Sequence, residues 1–251
     1  MFKNIKTQNT NEYDEFLTTS NSKLKERSIL NGSLIWVGLG LLFTVLFTYL
    51  EAKTQMFGKL VQNNIQTVAI VALIAVVFIL IGNFTIYIMP WWLVLIYYIT
   101  FTVLEGISIS YLLLFALQDF TTAEFTLLLA IPAGVTLLMA ILGHFNIINF
   151  GKIWPLILGL FISIIIFGIV SFFVTSHLLF TLYTSLGFIA YSLMIGFQIW
   201  KIKKMDENVF AVNAMPYKEY LKTTLIIGTS LLISILELIR FAFMLMKLYK
   251  D

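Results

Sequence analysis

The sequence predicts an all-α membrane protein, a bundle of about seven transmembrane helices. Three observations lead there. Long apolar runs follow one another along the 251 residues, and a helix needs about 20 apolar residues to cross roughly 30 Å of hydrocarbon. Composition agrees: 60% of residues are hydrophobic and 12% charged, against about 25% charged in a soluble domain. No ten-residue stretches of alternating polarity suggest a membrane barrel. Spans of this length leave only short loops and one polar tail, so the chain reads as one membrane domain over 29–251.

The elements follow in order. Residues 1–28, from Phe2-Lys3-Asn4 to Lys25-Glu26-Arg27, are polar and mixed in charge, and read as a flexible tail. The next run is too long for the core of a cleaved signal peptide and lacks a small-x-small cleavage site. It is span one, Ile29 to Leu50. A polar loop follows from Glu51 to Asn63. Span two covers Asn64 to Ile88, and Pro90 ends it. Trp91-Trp92, an aromatic pair suited to the headgroup boundary, opens span three, which runs to Leu117. Gln118 to Thr122 make a turn. Span four is Ala123 to Gly143, with Pro132 expected to kink it. His144 to Lys152 form a loop. Span five is Ile153 to Thr175 and span six Leu178 to Trp200. Lys201-Ile202-Lys203-Lys204 begin the longest internal loop, with Pro216 near its end. Span seven is Leu221 to Leu248.

Positive charge orients the bundle. Lys3, Lys6, Lys23, Lys25 and Arg27 lie in the tail, and Lys201, Lys203, Lys204 and Lys218 in the loop after span six. Six spans put both regions on one side, with Lys152; the opposite loops hold only Lys53 and Lys59. The N-terminus is therefore expected in the cytoplasm. Lys247 and Lys250 lie outside if span seven crosses fully, and inside if it is re-entrant. A net charge of +3 with dispersed lysines gives no footing for nucleic acid. There are no cysteines, which excludes disulfides and thiolate chemistry. Abundant Lys, Asn, Ile and Phe hint at an AT-rich bacterial genome, hence a bacterial plasma membrane.

Two acids stand near the middle of apolar runs, where a carboxyl is expensive and usually faces the bundle interior. Glu105 shares a helix face with Thr102 and Ser108, every third residue, and Gly106 beside it allows close helix approach. Glu105 either lines an ion path or holds the bundle together through an interhelical hydrogen bond. Glu237 ends a stripe of Ser230 and Ser234. Arg240, at i,i+3, either pairs with Glu237, which would hold it ionised and blunt it as a proton switch, or snorkels to the interface. His144 and His177 sit at span ends without metal-ligand spacing. No phosphate loop, His-Glu-x-x-His or Gly-x-Ser-x-Gly occurs. Enzyme chemistry, a metal site and a cofactor therefore have no sequence support. Ala130/Gly134 and Ser192/Gly196 read as helix-packing pairs.

Four segments resemble the Bax inhibitor-1 family of transmembrane proteins. Leu104-Glu105-Gly106-Ile107-Ser108 is similar to its Glu-Gly motif, and Phe150-Gly151-Lys152-Ile153 to its start of span five. Ile195-Gly196-Phe197-Gln198-Ile199 looks like its span-six motif Tyr/Phe-Asp-Thr-Gln-Leu, and Ile235-Leu236-Glu237-Leu238-Ile239 like its span-seven motif Leu-Asp-Phe-Ile. The order holds from Ile29 to the end. The resemblance implies helices in two layers around a central seventh one. It also implies calcium leak, cell-death suppression in eukaryotes, and in some bacteria association with a membrane protease. The family's leak is tied to two aspartates, on spans six and seven, that share a proton. Glu237 takes the span-seven place. Gly196 stands where the span-six acid would be, so that pair is absent as usually written. The expected function is a cation, for example calcium, leak or other ion handling centred on Glu237 with Glu105 and Arg240. The alternative is a non-transporting partner or modulator of a membrane protease.

Reporter fusions test the orientation. Reporters at residue 20 and within 201–218 are both expected in the cytoplasm; both outside would reverse it.

Overall fold

The computed structural model describes residues 27–55, 59, 85–174 and 176–250. The tail expected over 1–28, apart from Arg27 and Ser28, and span two, apart from residues 85–88, lie outside the described residues. Within them the protein is all helical: α1 Ile29–Thr54, α2 Trp91–Asp119, α3 Thr122–His144, α4 Phe150–Phe173, α5 His177–Asp206, the short α6 Val209–Ala214, and α7 Tyr217–Lys250. Six of these, all but α6, are long and apolar enough to cross a membrane.

Local chemistry sets the ends. Ser28 caps α1 by accepting from the Asn31 amide at 3.2 Å, and Gln55 closes it in the left-handed conformation at φ 48°. Pro90 precedes α2, where its fixed φ and missing donor cost nothing, and its carbonyl accepts from the amides of Leu93 and Val94. Thr121 and Glu124 form a reciprocal capping box at the start of α3, satisfying two otherwise orphan amides. α3 continues through Pro132. Pro216 stands just before α7, and its carbonyl accepts from the Tyr220 amide.

Several boundaries differ from the sequence reading: α4 begins at Phe150, so Lys152 is helical and not in a loop, and three others bear on the site. Glu51 belongs to the last turn of α1 and is buried, not in a loop. The Lys201–Lys204 segment is helix, because α5 runs six residues beyond Trp200. Ile202 explains this: it continues the apolar row of Ile195 and Ile199 into the core, all three nearly inaccessible. α7 starts before Leu221 and runs unbroken for 34 residues, about 50 Å at the helical rise. It is long and apolar enough to cross a membrane without a break, which favours a full crossing over a re-entrant segment.

α7 is the centre of the bundle. It packs against α1, α2, α3 and α5. Its most apolar stretch is 61% buried, against 11% for both α3 and α4, whose outer faces are left for lipid. Parallel α1 and α7 meet closely at Gly228, where a Cβ would lie 2.8 Å from the Ser33 carbonyl oxygen. α5 runs antiparallel to α7, with Gln198 beside Ser230 and Gly187 against Phe241. The Ala130/Gly134 pair makes no close helix contact among the described residues. Both residues are exposed and Gly134 has open space around it, because that side of α3 faces outward.

One end of the bundle is tied by Asp206. Its carboxylate accepts from the Ser28 hydroxyl at 2.8 Å and from the amides of Ile29 and Leu30 at 2.6 and 3.1 Å. An acid at a helix N-terminus satisfies orphan donors and complements the helix dipole. Arg27 donates to the Met215 carbonyl, and Tyr220 to the Ser28 carbonyl. The start of α1, the end of α5, α6 and the start of α7 thus lie together. At the opposite end Lys250 donates to the Asp119 carbonyl.

Candidate functional site: a buried Glu–Arg–Glu bridge

The site begins with two helix approaches. On α2, Gly106 lets α1 come so near that a Cβ would sit 2.8 Å from the Thr44 carbonyl oxygen. Thr48 fixes the contact by donating to the Gly106 carbonyl at 2.9 Å. The neighbouring Glu105, at the midpoint of α2, is thereby turned toward α7. On α7, Glu237 and Arg240 are one turn apart and share a face.

Arg240 joins the two acids. Its Nη2 donates to Glu105 Oε2 at 2.5 Å and to Ser108 Oγ at 3.1 Å, while Nη1 donates to Glu237 Oε1. The Glu105 side chain is only 6% exposed; those of Arg240 and Glu237 are 20% and 21% exposed. Arg240 therefore does not snorkel. Its planar fork suits two carboxylates at once, which a lysine could not match. The Arg240 Nε–H is buried without an acceptor among the described residues. With both acids ionised, the three charges sum to −1.

Glu237 also has α5 beside it. Tyr183 and Tyr191 lie within electrostatic reach of its carboxylate. Both rings pack on Phe241, with centroids 5.4 and 5.6 Å away. This aromatic wall limits the water that could solvate the acid, so most of its compensation comes from Arg240.

Other expected residues go elsewhere. Thr102 shares the Glu105 face but its hydroxyl is spent on the Ile99 carbonyl. Ser230 and Ser234 face Gln198 of α5, whose Nε2 donates to their hydroxyls at 2.8 and 3.1 Å. The Gln198 Oε1 is buried without a donor among the described residues. The sequence marks Gln198 only as part of the span-six motif, although an amide within the last turn of an apolar run is itself a signal. Gly196, expected opposite Glu237, lies on another face of α5. A Cβ there would overlap the Phe150 ring, 2.7 Å from Cε1 and closer to Cζ. Span six does meet span seven, but its hydrogen bonds to that helix come from Gln198 and not from the Gly196 position. No group of three His, Asp or Glu side chains able to hold a metal occurs among the described residues.

The arrangement can do two things. It can clamp α2 to α7, and it holds a guanidinium between two carboxylates, the place where a mobile cation would be bound by hard oxygen ligands. Comparison with known families matches residues 26–247 to the family described as inhibitor of apoptosis-promoting Bax1. No curated protein matches the chain.

The bridge has a stability signature. Removing one member of a buried ionic group strands the others and costs about 3–5 kcal/mol, whereas replacing the whole group can be nearly neutral. Arg240→Met alone is expected to lower the thermal midpoint in detergent sharply. Adding Glu105→Gln and Glu237→Gln should recover most of the loss. A single variant as stable as the native protein would mean that the bridge contributes nothing to the fold.

Proposed function

We propose that this chain, which belongs to the Bax inhibitor family, handles cations in the membrane, with the Glu105–Arg240–Glu237 bridge as its gate. The observation that carries this reading is Arg240 placed between two acids from different helices. Paired carboxylates are the usual device for drawing cations into a pore. Here a tethered guanidinium fills their joint site. While it stays, a calcium or other cation meets a site already occupied. When α2 and α7 part, or Arg240 swings away, two carboxylates are uncovered together and their oxygens replace part of the ion's hydration shell. In this reading the protein sits in a bacterial plasma membrane with its N-terminal side in the cytoplasm.

A second reading is a membrane partner that transports nothing, for example a modulator of a membrane protease. Gly196 favours it: glycine stands at the position of the family's span-six acid and is packed against Phe150, so the usual proton-sharing pair is not built.

Calcium flux into dye-loaded liposomes separates the two. Arg240→Gln empties the gate but keeps a hydrogen-bonding side chain, and is expected to raise flux by about tenfold or more, the effect of lowering a barrier by ~1.4 kcal/mol. Glu105→Gln with Glu237→Gln should bring flux down to the protein-free background. Background flux from monodisperse native protein and Arg240→Gln alike would reject the gate and favour the partner.

A further inference from the structure

A basic and aromatic cluster lies far from the bridge, where α4 begins and α5 ends. Phe197, Trp200, Lys201 and Lys204 follow one another at i, i+3, i+4 and i+7, so they share one face of α5. The Trp154 ring of α4 stacks on Phe197 at 4.5 Å, and Phe197 on Trp200 at 5.9 Å. Trp200 is fixed: its Nε1 donates to Asn146 Oδ1 at 2.8 Å, and Gly151 abuts its ring edge. The Lys204 ammonium sits 4.9 Å above the Trp200 ring. Such a cation–π contact positions the charge and leaves N–H donors free. Lys152, one residue beyond Gly151, is exposed, as are Lys201 and Lys204.

The nearby acids do not neutralise this charge. Asp206 is turned to the start of α1 and is occupied there by Ser28, Ile29 and Leu30. Glu207 lies 3.9 Å from Lys203. None of Lys152, Lys201 and Lys204 has an ion pair among the described residues. The tryptophans place the cluster at headgroup depth, where amphipathic rings settle.

We infer that this end of the bundle binds the phosphate headgroup of an anionic phospholipid, with Lys152, Lys201 and Lys204 as its charged contacts and the Trp154–Phe197–Trp200 stack as its seat. Anionic lipid is the occupant that the location favours: basic groups at headgroup depth meet lipid phosphates at high local concentration. The inference does not depend on the cation reading, since no residue is shared with the bridge.

The two tryptophans give the test. The full chain is reconstituted in zwitterionic bilayers containing a minor fraction of either anionic or zwitterionic lipid with brominated chains, which quench nearby indoles. The anionic lipid is expected to quench more at equal mole fraction, and Trp154→Phe with Trp200→Phe should remove that excess. Lys204→Gln should weaken the preference by about fivefold, the typical effect of one lysine near a charged surface. Lys152, Lys201 and Lys204 all changed to Gln should abolish it. The same three changed to Arg should keep it, which separates lost charge from lost fold. Equal quenching by both lipids in the native protein, or a preference that survives the three Gln changes, would overturn the inference. Full competition by soluble glycerol phosphate would also overturn it, in favour of a soluble phosphate ligand.

Discussion

The ionic bridge between α2 and α7 is the constraint that the rest of the bundle accommodates. Three ionisable side chains lie in spans where charge is expensive, and each is tolerable only because the others are in place. That demands two helices held in fixed register. Gly106 and Thr48 hold α2 against α1, and Gly228 holds α1 against α7. The three helices form a closed set in which every pair touches. Glu105 and Arg240 can then meet without either side chain reaching into lipid.

The same constraint places α7 at the centre. A helix carrying both Glu237 and Arg240 cannot face lipid across its middle, so neighbours must cover it. α5 supplies an aromatic wall and an amide: Tyr183 and Tyr191 beside Glu237, and Gln198 for the serine stripe one and two turns earlier. α3 covers the last turns through Leu128 and Phe243. α4 is an outer layer packed on α5, and its Phe161 backs the Tyr191 ring at 5.1 Å. Asp206 adds a second fastening at one end, so the register at the bridge is supported from a distance.

Much of this is legible in the residues. Apolar run length marks every described span, and the apolar surroundings of Glu105 and Glu237 single out both acids. Helical spacing predicts the Glu237–Arg240 pair, since i,i+3 contacts are local. The link from Arg240 to Glu105 is not legible: 135 positions separate them, and periodicity shows which residues share a face without showing which helix that face meets. The same gap explains Gly196. Family likeness places it on span six, but its rotation about α5 depends on Phe150, a residue of α4. The longer α5 is hidden by its lysines, because charge after an apolar run reads as a loop unless the buried Ile202 is weighed with them. Gln198 stands in plain view in its apolar run, yet a single polar residue among many apolar ones has no periodic partner to mark it.

The most direct test of the bridge is an exchange of its charges. Glu105→Arg and Arg240→Glu each break the alternation of sign and should leave the protein poorly folded, with a much lower thermal midpoint in detergent. Made together, they restore one guanidinium among two carboxylates, with the arginine now carried by α2 and both acids by α7. The double variant is expected to recover a large part of the native midpoint and a monodisperse profile. A double variant no more stable than the worse of the two single ones would contradict the bridge as the organising contact of α2 and α7.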